Sequence, residues 1–262
     1  MFRENFKITL LGEKMNIKTD TGKSSNLEIT NRSEFYKLYK ESPVVQDEKL
    51  DNLGLFLSRR HLSRIMFMHE MYQKIINVNG VIMEFGVRWG QNLALFENFR
   101  GMYEPYNHTR KIIGFDAFGK FPSDELKKID SDQSFSIKHD EDAGYGISKS
   151  DLDIFLKKKN FSNYSLIRGD ILKTLPDYLK NNPEKRFSLI HIDVDVYEPT
   201  KHILENTWDK IVEGGVLILD DYGTVEGETK AVDEFLHNKN ILIQKLPYKY
   251  KPSFIIKKTN PI

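Results

Sequence analysis

Residues 187–195 read FSLIHIDVD and residues 214–221 read GGVLILDD, so two nearly continuous apolar runs each end in a pair of aspartates. Apolar runs without in-out alternation are typical of parallel strands that are covered on both faces. Asp193 and Asp195 are two positions apart and therefore point the same way from an extended strand. These stretches predict two buried strands whose carboxyl ends carry acidic side chains.

Three similar runs come earlier in the chain, namely VIMEFGV (81–87), KIIGFDAF (111–118) and YSLIRGD (164–170). Helix candidates lie between the runs, at 91–100, 151–159, 172–181, 200–212 and 228–238. This alternation predicts an α/β fold with a doubly wound, mostly parallel sheet and right-handed crossovers. The gap between ILIQKLP (241–247) and SFIIKK (253–258) is too short for a crossover helix, which predicts a C-terminal antiparallel hairpin at the sheet edge.

The other segments lack this strand-helix pattern. Residues 1–50 are polar and weakly patterned, and are predicted to form an N-terminal arm before a domain that spans 51–262. Apolar residues at helical spacing predict one or two helices within 51–79. Residues 119–150 form a polar insertion after the second strand, on the expected ligand side of the sheet. A long segment of this kind is predicted to be a lid.

Composition excludes several classes of protein. The hydrophobic fraction of 39% and the charged fraction of 29% are typical of a globular chain. A net charge of +1 removes the electrostatic argument for a nucleic-acid or anionic-membrane binder. The absence of cysteine excludes disulfides, thiolate metal sites and cysteine nucleophiles. The N-terminal stretch lacks the apolar core of a secretory signal, and no apolar window approaches about 18 residues, so we expect a cytoplasmic protein.

Acidic residues follow every predicted strand at its carboxyl end. They are Glu84, Asp116, Asp170, the pair Asp193 and Asp195, and the pair Asp220 and Asp221. In an open α/β sheet, ligands bind outside the carboxyl ends of the strands, where the strand order reverses. A single aspartate at this place often caps the following helix. Acids at all five strand ends, however, predict a ligand site.

The first strand runs into the turn EFGVRWGQN (84–92), which precedes a helix. Gly86 and Gly90 allow the backbone to approach a ligand at the helix N-terminus. The turn lacks the G-x-G-x-x-G pattern, which disfavours a dinucleotide pyrophosphate. Glu84 also favours a cationic ligand over an anionic one.

The second and third strands supply further candidate contacts to a nucleoside. Asp116 ends the second strand, and its two carboxylate oxygens can accept both ribose hydroxyls of an adenosine. Residues 168–170, Arg-Gly-Asp, are then predicted to border the adenine ring.

The fourth and fifth strands predict a metal site. If these strands are neighbours, their ends lie about 4.8 Å apart, and Asp193, Asp220 and Asp221 converge. Three carboxylates so close repel each other unless a cation lies between them. Oxygen ligands select a hard divalent ion, which points to Mg²⁺, with Mn²⁺ and Ca²⁺ as alternatives. His191 is predicted to support this set rather than to bind the ion.

At these residues the sequence resembles a known family. EFGVRWG, GFDAF, RGDILKTLP, HIDVDVYEPTK, GGVLILDDYG and KAVDEF, in this order, are similar to motifs of the macrocin O-methyltransferase family, which includes sugar methyltransferases of the mycinamicin and novobiocin pathways. The resemblance covers about residues 51–260. It implies a class I methyltransferase (Rossmann-like) fold and the Mg²⁺-dependent transfer of a methyl group from S-adenosylmethionine to a sugar hydroxyl.

The resemblance also assigns roles to residues. It implies that Asp193, Asp220 and Asp221 are the metal ligands and that Asp195 is the general base. With the glycine turn and residues 168–170, the predicted cofactor-binding residues are Glu84, Gly86, Gly90, Asp116, Ala117, Phe118, Gly169 and Asp170. The chain departs from the family in having V-R-W-G-Q at 87–91 instead of V-W-R-G-G, and D-A-F-G-K at 116–120 instead of D-S-F-E-G. Both departures keep the glycine turn and Asp116.

Three other functions compete with this interpretation. A metal-dependent methyltransferase of a catechol-like aromatic diol generally has Asp-Asn where this chain has Asp-Asp-Tyr (220–222). A nicotinamide-dependent oxidoreductase is opposed by the missing G-x-G-x-x-G pattern, and a non-catalytic binding module does not need a repulsive acidic cluster. Natural-product glycosides, nucleotide sugars and surface polysaccharide units all stay open as acceptors, as does a homo-oligomer.

Overall fold

The computed structural model describes residues 25–119 and 146–258, and six strands within them form one sheet. In chain order they are β1 (Val81–Phe85), β2 (Ile112–Asp116), β3 (Tyr164–Arg168), β4 (Phe187–Ile192), β5 (Ile211–Leu219) and β6 (Ser253–Ile256). The strand order in the sheet is β3-β2-β1-β4-β5-β6. Strands β1 to β5 are parallel, and β6 is antiparallel to β5. The predicted fold class is confirmed, and the strand order reverses between β1 and β4.

Helices connect these strands close to the predicted positions. The helices of the described residues are α1 (Asn26–Lys40), α2 (Leu53–Phe56), α3 (Arg59–Ile75), α4 (Gln91–Tyr103), α5 (Lys149–Lys158), α6 (Ile171–Asn181), α7 (Tyr197–Thr207) and α8 (Glu226–Leu236). Short 3₁₀ turns occupy Gln46–Glu48 and Trp208–Lys210. The helix predicted at 200–212 ends at Thr207, because the second of these turns leads directly into β5. No helix of the described ranges is long and apolar enough to cross a membrane.

Helices cover both faces of the sheet. Successive side chains of a strand point to opposite faces, so Ile82 packs beneath α3, α4 and α5, whereas Met83 packs beneath α6, α7 and α8. Both faces are therefore buried, which explains why the strand sequences show no alternation of apolar and polar residues.

The segment before β1 is helical. Helix α1 begins with a capping box, in which the Glu28 N–H donates to Ser25 Oγ at 3.3 Å and the Ser25 N–H donates to Glu28 Oε2 at 2.8 Å. Helices α2 and α3 lie in the range predicted to hold one or two helices, 51–79. Residues 1–24 of the predicted arm and 120–145 of the predicted lid lie outside the described residues, so the division into arm, domain and lid stays a prediction.

The antiparallel edge differs in detail from the predicted hairpin. Strand β6 pairs with β5, and residues 241–247 contribute only a single bridge, in which Gln244 and Phe254 exchange two hydrogen bonds of 2.8 Å. Continuing this ladder would place Leu246 opposite Pro252. Proline has no N–H to donate, so residues 241–247 do not form the predicted first strand of the hairpin.

Candidate active site

The site lies at the carboxyl ends of the neighbouring strands β1 and β4, between which the strand order reverses. The Asp193 N–H donates to the Phe85 carbonyl at 2.9 Å, which brings the end of β4 against the residue that follows β1, Gly86. Gly86 has a φ of 88°, and a Cβ at this position would lie 1.8 Å from the Asp193 carbonyl oxygen. Only glycine fits there. Gly86 therefore joins two halves of the site: a turn half (residues 86–90, 116–118 and 168–170) and a carboxylate half (residues 193–195 and 220–221).

Asp116 organises the turn half through backbone hydrogen bonds. Its Oδ2 accepts from the N–H groups of Val87 at 2.8 Å and Arg88 at 2.9 Å, and its Oδ1 accepts from the Phe118 N–H at 2.6 Å. Arg88 and Phe118 have left-handed φ values of 49° and 50°, which are unfavourable for residues with a side chain. The carboxylate thus stabilises two strained turns where the predicted cofactor would bind.

The same hydrogen bonds limit what Asp116 can accept from a ligand. A carboxylate oxygen has about two lone pairs, so Oδ2 is saturated and Oδ1 has room for one more donor. Asp116 can therefore accept one ribose hydroxyl in this conformation. Accepting both, as predicted, requires the exchange of a backbone hydrogen bond. The Gly169 N–H donates to the Asp116 carbonyl at 3.0 Å, which places the end of β3 beside this group.

Two other residues that are predicted to contact the cofactor also cap helices. Gly90 is the N-cap of α4 with a φ of 79°, and a Cβ there would lie 2.4 Å from Leu152 Cδ1. Asp170 caps α6, because its Oδ1 accepts from the Leu172 N–H at 2.9 Å. The contacts of these residues with a cofactor, and those of Ala117, stay predictions.

Glu84 and His191 lie side by side beneath the site. They are paired in register on β1 and β4, and both are completely buried. Glu84 Oε1 lies 3.6 Å from His191 Nδ1, and neither oxygen of Glu84 has a hydrogen bond within the described residues. Burial opposes a charged imidazole, but contacts with Asp220 and Glu84 outweigh it and raise the pKa of His191 to about 9. His191 is therefore a buried basic side chain beneath the carboxylates, and its supporting role stays a prediction.

The carboxylate half brings the four predicted aspartates together. Ile192 of β4 lies opposite Leu219 of β5, and the Asp220 N–H donates to the Ile192 carbonyl at 3.0 Å, so the two strands are neighbours. Carboxylate oxygens of Asp193, Asp195 and Asp221 lie within 4.8 Å of one another.

A second group with the same spacing contains His191, Asp193 and Asp220. The two groups share Asp193. The predicted ligands Asp220 and Asp221 thus fall into different groups, although they are consecutive in the chain.

Two cations from distant parts of the chain reach these carboxylates. Arg64 of α3 forms an ion pair with Asp220, and its Nη2 lies 3.5 Å from Asp193 Oδ2. Lys251, which lies just before β6, forms an ion pair with Asp221. Sequence analysis missed both cations, because neither belongs to a motif. The one available signal was that Arg64 occupies the helix face on which Phe67 and Met71 are buried.

The cations do not neutralise the carboxylate half completely. Burial and the charge of Asp220 raise the pKa of Asp193 to about 7. Burial and the charges of Asp193 and Asp221 raise the pKa of Asp195 far above its usual range. For Asp220, burial acts in the same direction, but the hydrogen bond from His191 and the charge of Arg64 outweigh it and lower the pKa.

Asp195 is also strained, with a left-handed φ of 64°.

A further carboxylate, which sequence analysis did not identify, lies under this half. Glu228 of α8 is buried, and its Oε1 accepts from the Asp221 N–H at 3.0 Å. Burial and the charge of Asp221 raise the pKa of Glu228 well above its usual range.

Among the described residues, three cations lie at this place, namely Arg64, Lys251 and His191. The acids outnumber them and are Glu84, Asp193, Asp195, Asp220, Asp221 and Glu228. Burial and mutual repulsion suppress the ionisation of several of these acids, and a hard divalent cation among the oxygen donors would favour their ionised form.

Strand order, helices on both faces and a site at the carboxyl edge together define a class I methyltransferase fold. Residues 56–246 match the model of the macrocin-O-methyltransferase (TylF) family, and the chain belongs to that family. The predicted resemblance is confirmed. Members of this family are O-methyltransferases, which opposes the oxidoreductase alternative.

A solved structure with high similarity is that of CalS11, a calicheamicin methyltransferase. It has 30% sequence identity and a TM-score of 0.77, and the alignment covers 88% of this chain and 93% of that one. An apo structure of CalS11, described as a TDP-rhamnose 3'-O-methyltransferase, has a TM-score of 0.73 at the same identity.

Two curated relatives match a smaller part of the chain. Demethyldecarbamoylnovobiocin O-methyltransferase from Streptomyces niveus is 27% identical over 164 residues, which are 61% of this chain and 59% of that protein. Mycinamicin III 3''-O-methyltransferase from Micromonospora griseorubida is 27% identical over 152 residues, which are 55% of this chain and 56% of that protein. The chain therefore aligns with somewhat more than half the length of each.

Proposed function

We propose that this chain transfers a methyl group from S-adenosylmethionine to a hydroxyl of a sugar, with a Mg²⁺ ion held by Asp193, Asp220 and Asp221. The observation that carries the proposal is the contact between Gly86 and the Asp193 carbonyl, which joins the turn half to the carboxylate half. A methyl donor on one half then lies directly beside an acceptor on the other. Such positioning is a large part of catalysis by group transfer.

The turn half suits the methyl donor. S-adenosylmethionine, when bound, supplies an electrophilic methyl group on a sulfonium cation. The glycine turn lets backbone approach it, Asp116 offers one free acceptor position to a ribose hydroxyl, and the acids behind the turn favour its positive charge. An anionic dinucleotide would meet the same acids unfavourably.

The carboxylate half suits the acceptor. A bound Mg²⁺ ion lowers the pKa of a hydroxyl that it contacts. Asp195 lies within 4.8 Å of Asp193 and Asp221, and therefore beside the proposed ligands. A divalent cation beside Asp195 would lower its raised pKa, and its carboxylate would then accept the proton of the acceptor hydroxyl. The hydroxyl oxygen would form the new bond to the methyl carbon as the carbon-sulfur bond breaks.

Among sugar acceptors we favour a nucleotide-linked sugar. Lys249 lies 3.4 Å from Ser63 Oγ at the rim of the carboxylate half. Burial and the charges of Arg64, Arg60 and Lys251 lower its pKa, so several cations lie close together there. Such a cluster favours the diphosphate of a nucleotide sugar. The description of CalS11 as a TDP-rhamnose methyltransferase supports this choice.

Calorimetry and a transfer assay test the proposal together. S-adenosylhomocysteine should bind at one site with Mg²⁺ and with EDTA, whereas labelled methyl transfer should need the metal. The acceptor panel contains TDP-rhamnose, a simple rhamnoside and a catechol. Asp220→Ala should retain S-adenosylhomocysteine binding and lose at least about 100-fold in turnover. The control Asp177→Ala removes an exposed carboxylate of α6 and should behave as wild type.

Each part of the proposal has its own contrary result. Failure of S-adenosylhomocysteine to bind would overturn the assignment of S-adenosylmethionine as the cofactor. Equal turnover in EDTA would overturn the metal, and methylation of the catechol but of neither sugar would support the aromatic-diol alternative.

A further inference from the structure

Arg64 and Lys251 contact carboxylate oxygens of two of the proposed metal ligands. Arg64 and His191 both contact Oδ1 of Asp220, and Lys251 contacts Oδ1 of Asp221. Asp220 and Asp221 therefore form ion pairs with different side chains. This explains why consecutive predicted ligands fall into two groups that share only Asp193.

Removing either cation while nothing replaces it leaves a buried carboxylate uncompensated, which is strongly unfavourable. Arg64 has a side-chain exposure of 20% and Asp221 of 8%, so solvent compensates these charges only in part. A divalent cation brings two charges to one centre and takes oxygen ligands directly. It can therefore replace both side-chain cations at once.

We propose that Arg64 and Lys251 are exchangeable counterions of the carboxylate half. They neutralise Asp220 and Asp221 while no divalent ion is bound, and they leave these oxygens when one binds. The inference rests on the proposed metal site. Two residues that are not ligands then tune the metal affinity, because part of the free energy of metal binding is used to break their ion pairs.

Metal affinity and metal-free stability test this inference on the full chain without donor or acceptor. The probe is Mn²⁺, titrated by calorimetry and by the loss of the free-ion electron paramagnetic resonance signal. The variants are Arg64→Met and Lys251→Met, which keep an apolar stem of similar length. The matched control is Lys158→Met, which removes an exposed lysine of α5.

Each of the two variants should bind Mn²⁺ about tenfold more tightly than wild type, because the competing ion pair is gone. In EDTA both should melt at a lower temperature than wild type, so the rise in melting temperature on adding Mn²⁺ should be larger. Lys158→Met should match wild type in both measurements. If Arg64→Met fails to fold, Lys251→Met and Arg64→Gln decide the question by the same two measurements.

Two results overturn the proposal in distinguishable ways. If wild type binds Mn²⁺ and the variants bind it equally or more weakly, counterion exchange is wrong while the metal site stands. If neither wild type nor any variant binds Mn²⁺, the proposed ligands are wrong and the exchange falls with them.

Discussion

The two halves of the site satisfy their carboxylates by different means. In the turn half, Asp116 accepts three backbone N–H groups, which are fixed by the fold. In the carboxylate half, Asp220 and Asp221 are paired with Arg64 and Lys251, whose side chains can rotate away. The contrast indicates that the turn half is preorganised, whereas the carboxylate half is neutralised by charges that other cations can replace.

The largest effect should come from the position where the halves touch. Gly86→Ala places a Cβ on the Asp193 carbonyl and imposes a left-handed φ on alanine. We expect the free energy of unfolding to fall by about 4 kcal/mol or more, measured by urea denaturation.

Gly101→Ala is the matched control, because a Cβ at this position of α4 has no neighbour within 4 Å. It should stabilise the protein by up to about 1 kcal/mol, since alanine is the better helix former. Similar behaviour of the two variants would show that the halves are not in backbone contact.

A smaller effect, confined to the carboxylate half, is expected for Asp195→Asn. Asparagine tolerates the left-handed φ of 64° but cannot accept a proton at neutral pH. Turnover should fall about 10²- to 10³-fold, which is about 3–4 kcal/mol of activation free energy. Binding of S-adenosylhomocysteine and Mn²⁺, measured by calorimetry, should stay close to wild type. A large loss of Mn²⁺ affinity instead would make Asp195 a ligand, as its grouping with Asp193 and Asp221 allows.

The smallest effect is expected for Asp116→Asn in the turn half. The amide group turns one acceptor oxygen into a donor that faces backbone N–H groups, so at least one hydrogen bond is lost. The binding free energy of S-adenosylhomocysteine should become less favourable by about 1–3 kcal/mol, and the affinity for Mn²⁺ should not change. Asp170→Asn is the control, because asparagine caps a helix as well as aspartate does. A comparable loss in the control would give Asp170 its predicted cofactor contact.

Sequence patterns predicted most of the sheet because a strand buried on both faces must be apolar along its whole length. The acidic pairs after β4 and β5 were predictable for a related reason, since parallel strands bring their carboxyl ends to one edge. Arg64, Glu228 and Lys251 were not predictable in this way. They reach the site from two helices and a loop, and only three-dimensional packing brings them to the same carboxylates.

Residues 241–247 show a second limit of sequence patterns. Their apolar composition suits a strand, but Pro252 interrupts the ladder that they would form. Composition alone predicts which segments can be extended, whereas the partner of a strand depends on where each N–H finds an acceptor.

Strand β6 has a consequence for the behaviour of the protein in solution. It pairs with residues 216–219 of β5 and covers a row of main-chain groups on one of the most apolar strands. An uncovered strand of this kind recruits strands from other molecules and promotes aggregation. The segment that places Lys251 at the site therefore also protects the protein against aggregation. We expect a variant that keeps every carboxylate but lacks β6 to aggregate, so that its low solubility, and not a missing catalytic group, would limit its activity.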